Sequence, residues 1–389
     1  MTITSTASTA ARQHTLRERN LELVARAVFE SPSPLSRADV AAATGLARAT
    51  VSTLVDQLVA SRLVQELPAV TGGRAGRPAV PLVPAPRSVV GLGLEVNVDY
   101  LGARVLDLTG AVVAEHVEPG AFHDSDPATV LGRLGALASE LVRQVADDGM
   151  SVAGARLALP GLVDPRAGRL AVAPNLGWSS VEPVPLLGLS LPVEIANEAK
   201  LAALAELAGP VPRSFLYVSG DVGIGAAIVL DRALFLGERG WSGEIGHVVV
   251  DPAGPRCSCG AYGCLEEYAG KEAILRGAGL GPDAPLGDLL TLLPGDGEAA
   301  VRAAGRALGS ALADFVNLVD VGTVVLGGLY TDLIPWLRDD VLAVLDERVL
   351  ASPFVDLEVR PAAAGPHAAL TGGAREVLRG VLSDPSAFV

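Results

Sequence analysis

Large rings and lysines are scarce in this sequence. Aromatic residues make up 4% of the 389 positions, and only two of the thirty basic residues are lysine. With few rings to fill a core, packing must come from Ala, Val and Leu within a hydrophobic fraction of 50%. Cysteine is also rare: the three cysteines all fall between positions 257 and 264. So short a spacing and an odd count exclude a disulfide framework and point to reducing cytoplasm. No apolar run is long enough to cross a bilayer. The first twelve residues lack the basic-then-apolar order of a signal peptide. These absences set aside membrane and disulfide-scaffold classes, and the length calls for two or three domains.

What is present is glycine, proline and an uneven charge. Forty-four glycines and 27 prolines suit a compact α/β protein with many turns. The net charge of −14 is split: residues 1–87 hold ten Arg against six acids, whereas residues 88–389 hold eighteen Arg and two Lys against thirty-eight acids. A weakly basic module therefore precedes an acidic body, and only the front segment suits nucleic acid.

Within that segment, Leu16, Leu23, Val24, Ala27 and Val28 recur at helical spacing over residues 15–30, and the Ser-Pro-Ser-Pro run at 31–34 stops them. Ser36 is placed to cap a second helix over 37–44. Gly45 turns the chain, and a third helix over 47–61 points Val51, Leu54, Val55 and Leu58 inward. Strands at 63–67 and 79–83 enclose a basic tip, and Pro81, Pro84 and Pro86 read as a stiff spacer. The expected domains are thus 1–87 and 88–389. A helix-turn-helix with a wing lays its last helix in the major groove. Arg48, Thr50, Ser52 and Thr53 would then meet base edges, Arg74 and Arg77 of the wing would meet phosphates or the minor groove, and Arg37 joins the DNA-facing set. The competing reading is a helical hairpin used as a protein interface.

From residue 88 strands and helices alternate. Strands at 89–96, 103–108 and 112–117 form an antiparallel meander followed by a helix over 127–146. The plan returns at 215–219, 225–230 and 233–236, with a later strand at 323–326. This predicts a duplicated α/β body with a ligand cleft between two lobes.

Three sets of residues carry possible chemistry. His247, Cys257, Cys259 and Cys264 offer the four N/S ligands that zinc prefers, and with no position left for water such an ion is structural; three free thiols are the alternative. Gly161, Asn175, Asn197, Glu198, Glu244, His247 and Glu266 are polar or small residues suited to a polyhydroxylated ligand, although spacing alone leaves them open as caps or surface groups. The Asp-Val-Gly-Ile-Gly turn at 221–225 suits either a phosphate or a tight hairpin.

Several segments together resemble the ROK family, which unites sugar-responsive repressors with sugar kinases. They are Gly-Glu-Ile-Gly-His at 243–247, Cys-Ser-Cys-Gly-Ala-Tyr-Gly-Cys-Leu-Glu at 257–266, Pro-Gly-Leu-Val-Asp at 160–164, Pro-Asn-Leu-Gly-Trp at 174–178, Asn-Glu-Ala-Lys at 197–200 and Val-Leu-Gly-Gly at 325–328. The resemblance implies an N-terminal winged helix-turn-helix on an actin-like, hexokinase-like (ASKHA) body. Its lobes would span roughly 88–199 and 200–373, with the C-terminal helix returning to the first. It implies that Gly161, Asn175, Asn197, Glu198, Glu244, His247 and Glu266 line a sugar pocket, and that His247 also binds structural zinc with Cys257, Cys259 and Cys264. Kinase members carry D-x-G-G-T where this chain has Glu-Val-Asn-Val-Asp at 95–99, Glu198 replaces their catalytic Asp, and Val222 replaces a threonine. The expectation is a cytoplasmic, non-enzymatic repressor. Its partners would be double-stranded operator DNA, a small carbohydrate effector and further copies of itself, as a homodimer or dimer of dimers. An ATP-dependent sugar kinase and a protein-interaction scaffold are the alternatives.

Overall fold

A computed structural model describes residues 4–69 and 79–389, with the helical backbone alone for residues 4–14. The front module comprises α1 (Thr4–Phe29), β1 (Leu35–Ser36), α2 (Arg37–Thr44), α3 (Arg48–Ala60), β2 (Val64–Glu66) and β3 (Pro81–Pro84). Ser36 starts α2 through a capping box: Asp39 N–H donates to Ser36 Oγ, and Ser36 N–H donates to Asp39 Oδ2 at 2.9 Å. Gly45 ends α2 at φ 71°, a conformation that costs glycine little. Helix α1 runs further toward the N-terminus than residues 15–30. The expected proline spacer is corrected: Pro81 and Pro84 are the two ends of β3, the central strand of the β1-β3-β2 sheet. Proline is tolerated at strand ends, and Leu82 between them packs inward at 1% exposure.

The first lobe runs β4 (Val89–Val96), β5 (Tyr100–Asp107), β6 (Val112–Pro119), α4 (Pro127–Asp147), β7 (Ser151–Leu159), β8 (Leu162–Asp164), β9 (Arg169–Ala173), β10 (Trp178–Val181), α5 (Pro183–Leu187), β11 (Val193–Asn197) and α6 (Glu198–Glu206). The second follows with β12 (Phe215–Gly220), β13 (Ile224–Leu230), β14 (Ala233–Phe235), α7 (Glu266–Ala269), α8 (Lys271–Gly277), α9 (Leu286–Thr291), α10 (Glu298–Val319), β15 (Thr323–Gly328), α11 (Leu329–Arg348) and β16 (Glu358–Pro361). Helix α12 (Ala368–Ser383) closes the body. The two main sheets have orders β11-β7-β4-β5-β6 and β16-β15-β12-β13-β14. In each, the first three strands form an antiparallel meander, and the next two run parallel to the first. The lobes therefore repeat one plan, as the strand pattern predicted.

Strand β4 is buried at all eight positions because helices cover both faces. Leu131, Leu134 and Ala138 of α4 share its core cluster on one side. On the other, Gly91 and Gly93 let α12 approach, since a Cβ at either would overlap the carbonyl oxygens of Ala374 and Leu370. Helices α6 and α12 lie against one another, with Gly372 seated on the Leu201 carbonyl. Gly372→Ala puts a methyl into that backbone and should lower unfolding stability by about 1–3 kcal/mol in urea denaturation. An unchanged midpoint would argue against so tight a helix crossing.

The front module rests on the body through a shared core. Leu378 and Val381 of α12 and Leu106 and Leu108 from the β5 side join Leu21, Val24, Val28, Leu54 and Val55 in one apolar cluster. At its margin Arg62 donates to the carbonyls of Gly149 (3.2 Å) and Arg87 (3.4 Å), and Arg87 pairs with Asp148 at 2.9 Å. Among the described residues no helix is long and apolar enough to cross a membrane.

Candidate functional site

The chain between β14 and α7 is folded by hydrogen bonds and turns. Val249 bridges to Cys264 and Arg256 to Tyr262, the Cys257 N–H donates to the Ala261 carbonyl at 2.8 Å, and Tyr268 Oη donates to Asp251 Oδ2 at 2.9 Å. Gly263, at φ 69°, has no room for a side chain beside the Asp251 carbonyl. These ties bring His247, Cys257, Cys259 and Cys264 together, with their ligand atoms all within 4.8 Å of one another. Cys259 Sγ lies 3.7 Å from Cys264 Sγ, and His247 Nδ1 lies 3.8 Å from Cys257 Sγ. The first separation excludes a covalent S–S link of about 2.05 Å between Cys259 and Cys264. Both match the edges of a tetrahedron with metal–ligand bonds of about 2.0–2.3 Å. All three cysteines are free, and burial pushes the Cys264 thiol up to about 12. Cys257 is raised as well, so these two buried thiols need a cation to exist as thiolates, and the donor set fits a metal ion.

His247 also faces the cleft between the lobes. That cleft is lined by Gly161, Asn175, Asn197, Glu198, Glu244, His247 and Glu266, so the structure brings all seven of the predicted residues to one place. Gly161 contributes backbone: it sits at φ 82° with a Cβ excluded by the Val172 carbonyl, and its own carbonyl accepts a hydrogen bond from Asn197 Nδ2 at 3.1 Å. Asn197 in turn caps α6 by accepting from the Lys200 N–H at 3.3 Å. Its side chain therefore sets the start of α6 as well as the cleft wall. Glu266, the first residue of α7, accepts from the Ile224 N–H at 3.1 Å, and Gly223 leaves space for both Glu266 and Asn175. Burial raises the carboxyls of Glu244 and Glu266 above their ordinary values, and raises Glu198 well above its own, with Asp221, Glu95 and Glu244 adding to that shift. Lys200 is buried behind the cleft rather than in its lining, and its charge offsets part of the shift at Glu244.

Asp221 and Asn97 also line this cleft, although the sequence offered them only as parts of the 221–225 turn and the 95–99 stretch and not as cleft residues. Asp221 stands in the 221–225 turn, a tight hairpin between β12 and β13 in which its N–H donates to the Gly223 carbonyl at 2.9 Å. A carboxylate flanked by two glycines was the available signal. The turn after β4 is made without glycine: Asn97 Oδ1 accepts from the Asp99 N–H at 3.1 Å. Asp99 then reaches the other lobe, where it accepts from Lys271 Nζ on α8 at 3.0 Å.

On the front module Arg48, Thr50 and Thr53 are exposed along α3, and Ser52 is half-buried. Arg48 makes no hydrogen bond or ion pair among the described residues. Helix α3 starts at Ala47 without a side-chain cap. Arg37 differs: its guanidinium is already paired with Asp56 at 2.7 Å and Glu66 at 3.0 Å, tying α2 to α3 and β2. Arg74 and Arg77 lie outside the described residues.

Comparison with known proteins bears on both parts. Residues 92–379 match the family model described as the ROK family, and residues 24–68 match the IclR helix-turn-helix domain. The chain is 27% identical over 377 residues to the xylose repressor of Bacillus subtilis (strain 168), covering 93% of this chain and 95% of the repressor. A solved ROK family transcriptional regulator, a homologue of the E. coli MLC protein, superposes with a TM-score of 0.77 at 26% identity, over 95% of this chain and 97% of that one. A ROK family glucokinase from Streptomyces griseus, solved with glucose and AMPPNP, shares the body fold with a TM-score of 0.63 at 22% identity, over 74% of this chain and 98% of the glucokinase.

Proposed function

Since the chain belongs to the ROK family, we propose that it is a cytoplasmic transcriptional repressor whose hold on operator DNA changes when a small carbohydrate enters the interlobe cleft. The observation that carries this reading is the convergence on one cleft of seven polar or small residues from separate segments, in a chain that also carries a helix-turn-helix with an uncommitted arginine. Residues 1–87 serve as the reading head and residues 88–389 as the sensor. Carboxylates and amides in the cleft accept from and donate to sugar hydroxyls. A structural zinc held by His247, Cys257, Cys259 and Cys264 fixes the imidazole that faces the sugar. On DNA, Arg48, Thr50, Ser52 and Thr53 read bases, while Arg74 and Arg77 of the wing and the front module's other basic groups contact phosphates; Arg37 supports α3 from behind. Two copies paired by a two-fold axis place their α3 helices about 34–36 Å apart, one helical turn of duplex, or a multiple of that in a dimer of dimers.

The route from sugar to DNA runs through two helices. Helix α6 begins in the cleft at Glu198 and packs on α12, and α12 ends inside the core of the front module. A sugar whose binding favours closure of the lobes would carry the α6–α12 pair with them, and it shifts operator affinity to the extent that it binds one lobe arrangement better than the other. The body uses no ATP in this reading, because the 95–99 turn presents side chains and carboxylates where a triphosphate needs backbone amides.

A gel-shift titration on the gene's own upstream region, with a panel of mono- and disaccharides, tests the proposal. At least one sugar should change operator affinity by about fivefold or more. Glu266→Gln should weaken that sugar about tenfold and leave sugar-free operator binding in place. A panel in which no sugar moves the shift would sink the reading. Sugar phosphate formed on incubation with ATP and magnesium would replace it with a kinase.

A further inference from the structure

On the far side of Glu198 and Asp221 from the sugar cleft lies a second interlobe cavity of about 380 Å³. Its ionisable lining is acidic. Glu95, Glu198, Asp221 and Asp332 face it, and neither lysine nor arginine lines it. The nearest cations are already engaged. Arg104 pairs with Glu115 and donates to Thr371 Oγ1 at 2.6 Å, and Lys271 is held by Asp99. Glu95 is 3% exposed, and its Oε2 accepts no hydrogen bond. A buried carboxylate oxygen without a donor is costly, and this one sits at the cavity wall, where a ligand is able to reach it. Burial raises Glu95 and Asp221 to about 7, with Arg104 and Lys271 offsetting only part of each shift, so a cation in the cavity would favour their charged forms.

We propose that this cavity is a second ligand site, built for a small organic cation with an amino group at each end. One amino group would donate to Glu95 Oε2 in the interior, beside Glu198 and Asp221. The other would meet Asp332, which is exposed at the mouth. The stem between them would run past the rings of Tyr100 and His367, which stand edge to face at 4.5 Å, and of Tyr217. A metal ion fits less well, because among the described residues only His247 and the three cysteines bring such ligands within one ion's reach. Nucleotide fits less well too, since carboxylates surround the place of its phosphates. The inference does not rest on the sugar reading: the two cavities share Glu198 and Asp221, but the ligand and its test are different.

Isothermal titration of the full chain with 1,4-diaminobutane is the direct test, with 1,4-butanediol, magnesium chloride and ATP–magnesium as parallel probes. The diamine should bind saturably at one per chain, and the diol, of equal length without charge, should not. Glu95→Gln, which keeps the volume, should weaken the diamine by at least about tenfold. Asp332→Asn alters an exposed side chain with little demand on folding, and should weaken it about threefold or more. Absence of saturable diamine binding overturns the proposal. So does binding that both variants leave unchanged, and so does displacement of the diamine by magnesium alone or by ATP–magnesium.

Discussion

Cys264→Ser should lose the bound zinc and weaken sugar binding by at least tenfold, the largest effect expected from any single side chain in the body. Cys264 is 0% exposed and sits where the loop rejoins the fold, bridged to Val249 and followed by Leu265, whose N–H donates to the Val248 carbonyl at 2.8 Å. The segment from Val249 to Gly263 adds little to the apolar core besides Val250 and Cys257. A closed four-ligand ion would supply what packing does not, and in small domains such sites decide folding outright. The effect reaches the sugar because His247 belongs to both places: Nδ1 points at the Cys257 thiol while the ring lines the cleft. Freeing the imidazole also loosens its neighbour Glu244. Losses of ten- to a hundredfold are usual when the support of a metal-bound histidine is removed. Elemental analysis should find about one zinc per wild-type chain and none in the variant, with a lower Tm and weaker sugar binding by calorimetry. Treating the wild type with a strong chelator should reproduce all three. A variant that keeps its sugar affinity after losing zinc would separate the two roles of His247.

Arg48→Ala should weaken operator binding by about ten- to a hundredfold, or about 1–3 kcal/mol, if its guanidinium forks onto a guanine. Arg48 begins α3, is exposed and has no partner in the described part of the chain, so its removal takes nothing from the fold. The variant should keep its Tm, its zinc and its sugar affinity. A footprint should show discrimination relaxed at one base pair per half-site rather than a uniform loss. Arg37→Ala supplies the contrast. Because Arg37 holds Asp56 and Glu66, its loss should appear first as a modest drop in stability of the front module, of up to about 1 kcal/mol. Unaltered operator affinity in Arg48→Ala would remove α3 from the bases.

Much of the site was legible because its signals are local. Ser36, Asp39 and Gly45 mark α2 through contacts three or four residues apart, and alternation of apolar residues marks the meander of each lobe. The four zinc-type ligands lie within eighteen residues of one another, so their spacing alone suggested a shared ion. The seven cleft residues were harder, since positions 161 to 266 carry no periodicity that joins them. Their grouping came through resemblance, and the structure places them together. Asp221 was not assigned to the cleft because its turn suits a phosphate or a plain hairpin equally well. Glu95 read only as a missing glycine motif, since an unpaired buried oxygen is visible only once its surroundings are folded.

Chain neighbours and composition alone determined the helices and their caps, the doubled strand plan, the donor set of the candidate metal centre and the split of charge between a basic front and an acidic body. These follow from backbone sterics, side-chain period and counting. Tertiary structure decided the rest: the proline-flanked strand at the centre of the wing sheet, the commitment of Arg37 to two carboxylates, the seating of α12 on glycines and its passage into the front module's core. It also decided the acidic cavity beside the interlobe cleft. Each of these depends on which distant surfaces exclude water together, and that free energy is set by long-range packing that no window of sequence contains.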